Sequence, residues 1–140
     1  MILEKICFLS SISISDVYYG YGKKKFSEEL GVVCHFLCDY FCLPHNQRME
    51  FKNAAHIKNH VQYENTLAKV AKSYNQKDNI NRNLSIEMIQ EFIVENQREY
   101  EKEQGYLNDL DYAYYICNSV VNSILNQVSK NESLREKRAS

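Results

Sequence analysis

The residues of this chain best suited to chemistry are three cysteines spaced four apart, Cys34, Cys38 and Cys42, with His35 and His45 beside them and His56 and His60 further on. All are types that bind zinc, through thiolate sulfur or imidazole nitrogen. Side chains four apart share a helix face, so Cys38 with Cys42, or His56 with His60, could each supply half of a tetrahedral site. Against a metal, structural zinc sites draw their cysteines from tight turns at shorter spacing, and cysteine is among the most buried residue types without any ligand. His56-Ile57-Lys58-Asn59-His60 also lacks a glutamate after its first histidine, the general base of a metallopeptidase helix. A Cys/His nucleophile needs an electropositive, partly exposed thiolate, whereas apolar surroundings of the kind seen here raise a thiol pKa. We therefore read the cysteines as core residues and expect no metal, no catalytic residue and no other cofactor. Cys38, Cys42, His45, His56 and His60 are the candidate ligands if a metal is bound.

Two other patterns bear on function. Glu28 with Glu29, the set Glu99, Glu101 and Glu103, and Asp109 with Asp111 pair carboxylates, but each falls at a helix end or on a polar face, where capping and solvation explain it. The stretch from Asp16 to Phe26 places Tyr18, Tyr19 and Tyr21 beside Lys23, Lys24 and Lys25, with Gly20 and Gly22 between them, and reads as a loop. Tyrosines stacking on bases and lysines on phosphates would make it a single-stranded nucleic-acid surface. We prefer a surface loop whose tyrosines rest on the core and whose lysines are solvated, because a nucleic-acid groove recruits more basic residues than this one run supplies, and the glycines lack the rest of a phosphate-binding pattern.

The element that must position these residues is Ser27 to Pro44, the longest dense apolar run. Ser27 is placed to cap a helix, Glu28 and Glu29 suit its positive end, and Pro44 closes it. Apolar residues at nearly every angle predict a central helix, about 27–43, buried on most sides. Before it, Ile2, Leu3, Ile6 and Leu9 have helical spacing, while Ser11 to Ser15 alternate as a strand would, and we expect an irregular, extended N-terminal arm. After it, Gln47 to Tyr74 reads as helix with a bend near Gln62 to Asn65, and Gln76 to Asn83 as the main connection. Ser85 opens an amphipathic helix ending near Gly105. Asp109 to Val128 forms a last helix whose Leu110, Tyr114, Cys117, Val121, Ile124 and Val128 make a short heptad seam, suited to bundle packing or to a homodimer. The charged residues 129–140 predict a frayed tail beyond a single domain spanning 1–128.

Composition bounds the rest. A chain of 140 residues suits one domain, and 17 basic against 18 acidic residues give a formal net charge of −1, with no global attraction to nucleic acid or anionic membrane. Five cysteines, an odd number scattered through apolar patterns, fit a reducing cytoplasm. The first nine residues are too short an apolar run to span a membrane and lack the basic start of a signal peptide.

Glu29-Leu30-Gly31-Val32-Val33, Phe36-Leu37-Cys38, Asn53-Ala54-Ala55-His56-Ile57 and Ala68-Lys69-Val70-Ala71 together resemble the helical end of zincin-type antirestriction proteins carried by plasmids, over about residues 26–75. Those proteins are similar to metallopeptidases, with a His-Glu-x-x-His helix before this region. Residues 1–25 supply no such motif, so the resemblance carries over no metal ligand. It implies a mobile-element context and a domain without its metal.

These readings converge on an all-α, single-domain bundle of four to six helices, acting without catalysis through a protein partner as an accessory or inhibitory protein of a phage or mobile element. The alternatives are a zinc-binding or Cys/His enzyme using the cluster from Cys34 to His60, and a small nucleic-acid binder using Tyr18 to Lys25.

Overall fold

The structure is a computed structural model and describes residues 1–47, 53–76 and 81–140. The described residues form an all-α single domain of seven helices without strands. In chain order these are α1 (Ile2–Ser11), α2 (Ile14–Asp16), α3 (Lys23–Tyr40), α4 (Leu43–Asn46), α5 (Ala54–Lys72), α6 (Ile89–Tyr100) and α7 (Tyr106–Ala139). A π-helical turn, Val17–Tyr21, joins α2 to α3, and a 3-10 turn, Ile86–Met88, leads into α6. None of the described helices is long and apolar enough to cross a membrane.

The organising helix is α7, not the apolar run at Ser27 to Pro44. It packs against α1, α2, α3, α5 and α6. Its buried stripe is Ile116, Val120, Ile124 and Val128, one every four residues, and it meets Ile6 and Leu9 of α1, Val33 and Leu37 of α3, and Phe92 and Ile93 of α6 in one apolar cluster. Ser119 and Ser123 also lie on this stripe, where small side chains let helices approach, and their hydroxyls donate to the carbonyls of Tyr115 and Ser119 at 2.8 Å. This stripe is offset from the expected seam: Leu110, Ile124 and Val128 are buried, but Tyr114 is exposed and stacks on Tyr74.

Several local expectations are corrected. Helix α3 starts at Lys23, after Gly22 with φ of 93°, so Ser27 lies inside the helix and caps nothing. Only Phe26, Val33 and Leu37 of α3 are buried, whereas Val32, Cys38 and Tyr40 are exposed. A helix at the bundle surface buries a single stripe, and cysteine and tyrosine are tolerated outside it. The N-terminal arm is helical: the alternating serines mark a helix junction, where Ser13 Oγ accepts from the Asp16 N–H and Asp16 Oδ2 accepts from the Ser13 N–H. Tyr18 to Lys25 is not a loop but the π-helical turn and the first turn of α3. Helix α5 runs without a break through Gln62 to Asn65. The start of that expected helix, including Met49, and part of the expected connection at Gln76 to Asn83 lie outside the described residues. The charged tail is helical to Ala139 and tied to the N-terminus, with Glu132 accepting from the Ser15 amide at 2.8 Å and Asn131 Nδ2 donating to the carbonyls of Ser10 and Ile12.

Candidate metal centre

Two histidines and one glutamate converge at the end of the bundle where α4 meets α5. The chain leaves α3 through Phe41 and Cys42, both buried, which anchor it before the short α4; Pro44 in its first turn has a fixed φ suited to that position. His45 follows in the last turn of α4. Helix α5 opens with Asn53 Oδ1 accepting from the His56 N–H at 3.0 Å and continues straight, so that His60 and Glu64, four apart, share one face. His45 Nε2–H and His60 Nε2–H both donate to Glu64 Oε1, each at 2.9 Å. The two rings meet edge to face, with centroids 4.8 Å apart. Donation from His45, then from His60, holds the Glu64 carboxyl below its usual range despite some desolvation. Asp39, at the end of α3, lies beside this group with Oδ1 3.9 Å from His45 Nε2.

A fourth residue holds the arrangement together. Asp109, in the first turn of α7, is 1 % exposed. Its Oδ2 accepts from the Tyr63 hydroxyl at 2.7 Å and the Leu43 amide at 3.3 Å, and its Oδ1 from the Tyr100 hydroxyl at 2.7 Å. Tyr63 precedes Glu64 and Leu43 stands two residues before His45, so one buried carboxylate fixes both segments that carry the cluster. Burial, and then donation to Asp109, raises the pKa of Tyr63 and of Tyr100, keeping both hydroxyls protonated as donors.

The donor set fits zinc. The His45, His60 and Glu64 donor atoms lie within 4.8 Å of one another, and two imidazole nitrogens with one carboxylate are the protein ligands of a catalytic zinc site that keeps a position open. A divalent cation at this point would take the Nε2 lone pair of each ring, the ring proton then residing on Nδ1, together with a Glu64 oxygen. His60 is buried while His45 and Glu64 are partly exposed, which leaves one side of the group open to a substrate.

Of the residues singled out from sequence, the structure brings His45 and His60 together, keeps Cys42 beside them without joining the group, and leaves His56 and Cys38 outside it. His56 lies on an exposed turn one turn before His60. Cys42 is buried, and desolvation with the negative charge of Asp109, Glu64 and Asp39 pushes its thiol up to about 12. Cys38 is exposed and faces α7, its Sγ 3.8 Å from that of Cys117. At the other end of α3 the lysine run is occupied locally: Lys23 Nζ sits 4.3 Å over the Tyr18 ring, Lys24 pairs with Glu28 at 3.8 Å and Lys25 with Glu29 at 3.6 Å. Tyr21 packs edge-on against Phe8, whereas Tyr19 is 90 % exposed.

Glu64 and Asp109 escaped the sequence reading. The signal for Glu64 is His60-x-x-x-Glu64, a helical ligand pair; the glutamate follows the second histidine and not the first, and the expected bend at Gln62 to Asn65 hides the pairing. Asp109 reads as a capping residue because nothing local announces that two distant tyrosines reach it.

The model of the zinc dependent phospholipase C family matches residues 3–107. The chain belongs to that family. The match takes in His45, His60 and Glu64 and overturns the resemblance to antirestriction proteins, whose matched positions are common helix residues that any bundle of this composition repeats. It also overturns the reading as a non-catalytic protein-binding module of a mobile element and favours the zinc-enzyme alternative. No curated protein and no solved structure matches the chain.

Proposed function

We propose that the chain is a zinc-dependent hydrolase of the phospholipase C type, cleaving the phosphodiester between the glycerol and the phosphorylated headgroup of a phospholipid. The observation that carries this reading is the convergence of His45 and His60 on Glu64 within a chain of this family. His45, His60 and Glu64 would hold the zinc, which would supply Lewis acidity toward a phosphoryl oxygen. Asp109 orients the ligands by fixing Tyr63 and the Leu43 amide. Asp39 Oδ1, beside His45, takes a proton from the attacking water as the water oxygen bonds to phosphorus; the bond from phosphorus to the glycerol oxygen breaks, and that oxygen leaves with the proton returned by Asp39, giving diacylglycerol and a phosphomonoester. Five free cysteines, with no disulfide, suit a reducing compartment, and we place the chain in the cytoplasm.

Hydrolysis of mixed phospholipid vesicles tests the proposal. Diacylglycerol release should require zinc, cease on chelation, and fall by at least about 100-fold in His60→Ala and Asp39→Asn. Equal release by the wild type and both variants would overturn it.

A further inference from the structure

Cys34, Cys38 and Cys117 form a group that the metal centre does not use. Cys34 and Cys38 stand one turn apart on α3, and Cys117 faces them from α7. The Cys38 and Cys117 sulfurs lie 3.8 Å apart, and the Cys117 thiol donates to the Cys34 carbonyl at 3.7 Å. Cys38 is open to solvent, while Cys34 and Cys117 are half-buried beside it.

We propose that Cys38 and Cys117 are a redox modification site, forming a reversible disulfide between α3 and α7 on reaction with hydrogen peroxide. Two sulfurs already in van der Waals contact need only a small further approach to bond, of the kind side-chain rotation supplies. Cys38, the exposed member, meets peroxide first: its sulfur bonds to one oxygen, the O–O bond breaks, and the products are a sulfenic acid and water. The Cys117 sulfur then attacks that of Cys38, the S–O bond breaks, and the hydroxide leaves as a second water with the Cys117 proton. Two thiols have lost two electrons and one peroxide has gained them. Cys34 supplies a third thiol that can exchange into the bond. In that exchange the Cys34 thiolate attacks the Cys117 sulfur, the Cys38–Cys117 bond breaks, and Cys38 leaves as thiolate.

The place of this link gives it a consequence. The chain between Cys38 and Cys117 contains His45, His60, Glu64 and Asp109, so the disulfide closes a covalent ring around every residue of the metal centre. Oxidation then constrains the unfolded chain over a long loop, and the folded form with its metal ligands is held more firmly.

Reduced full-length protein treated with a small excess of hydrogen peroxide, digested with chymotrypsin without reductant and mapped by mass spectrometry provides the test; cleavage at Phe36 separates Cys34 from Cys38. The expected result is an intramolecular peptide pair joining Cys38 to Cys117, reversed by dithiothreitol, with the melting temperature raised by about 5 °C or more before reduction. Cys117→Ser should lose both the link and the shift, whereas Cys34→Ser should keep both. Cys38 found as sulfinic acid in wild-type protein without a link, links only between chains, or links to Cys7 or Cys42 in place of Cys117 would each overturn the proposal. The outcome does not depend on zinc or on lipid hydrolysis.

Discussion

Tyr63 donates its hydroxyl to the buried carboxylate of Asp109 at 2.7 Å, and the next residue in the chain, Glu64, receives both histidines of the metal centre. The apolar bundle and the polar site therefore share one joint. Asp109→Ala leaves Tyr63, Tyr100 and the Leu43 amide without their acceptor, and should lower stability by about 3 kcal/mol or more in urea denaturation. Tyr63→Phe removes a single donor and should cost about 1.5 kcal/mol, with a loss of zinc affinity of about 10-fold from a less well held Glu64.

Zinc binding itself should depend on Glu64. Glu64→Gln keeps the size of the side chain and removes its charge, so competition against a chromogenic chelator should show an affinity at least about 100-fold weaker than that of the wild type. Cys38→Ser, outside the group, should bind as the wild type does.

The pH dependence of folding follows from the carboxylates that the fold favours in their charged form. Glu64 is held low by donation from His45 and His60, and Glu132 by donation from the Ser15 hydroxyl and amide. Asp16 is held low by the Ser13 amide and hydroxyl. A folded pKa below the unfolded one contributes stability that is fully present above the unfolded value, about 4.5 for glutamate and about 3.8 for aspartate, and is lost as pH falls through the lower folded value. Melting temperature should therefore fall with acidification below about pH 4.5. In Glu64→Gln the part of this slope due to Glu64 should be missing.

Core substitutions should separate the two faces of α3. Leu37 is fully buried and Phe36 only partly, although they are adjacent. Leu37→Asp places a charge in the apolar cluster and should abolish cooperative unfolding, while Phe36→Asp should leave a folded protein with a lowered melting temperature. Lys24→Ala, at an exposed ion pair, should change stability by less than about 0.5 kcal/mol.

The class of the fold was legible because periodic apolar spacing is a local property, as α6 and the core of α7 show. Which helix is central was not: the density of the run from Ser27 to Pro44 counts cysteines and tyrosines as apolar wherever they point, and the surface position of Cys38 and Tyr40 is decided by α7, far along the chain. His45 and His60 were legible as types able to bind metal. Their meeting was not, because it depends on an unbroken α5 and on a tie from Tyr63 to a carboxylate 46 residues away.

The three donors of Asp109 also prescribe an order of chain closure. Tyr100 lies 9 residues from it, Tyr63 lies 46 and the Leu43 amide 66, so joining α6 to α7 closes the shortest loop, and α5 and then α4 are recruited at increasing entropic cost. On this ordering the metal ligands are among the last parts of the domain to assemble. Disturbing Tyr100 should slow refolding, whereas disturbing Tyr63 or a ligand should mainly hasten unfolding, and zinc should act as a brake on unfolding without accelerating refolding.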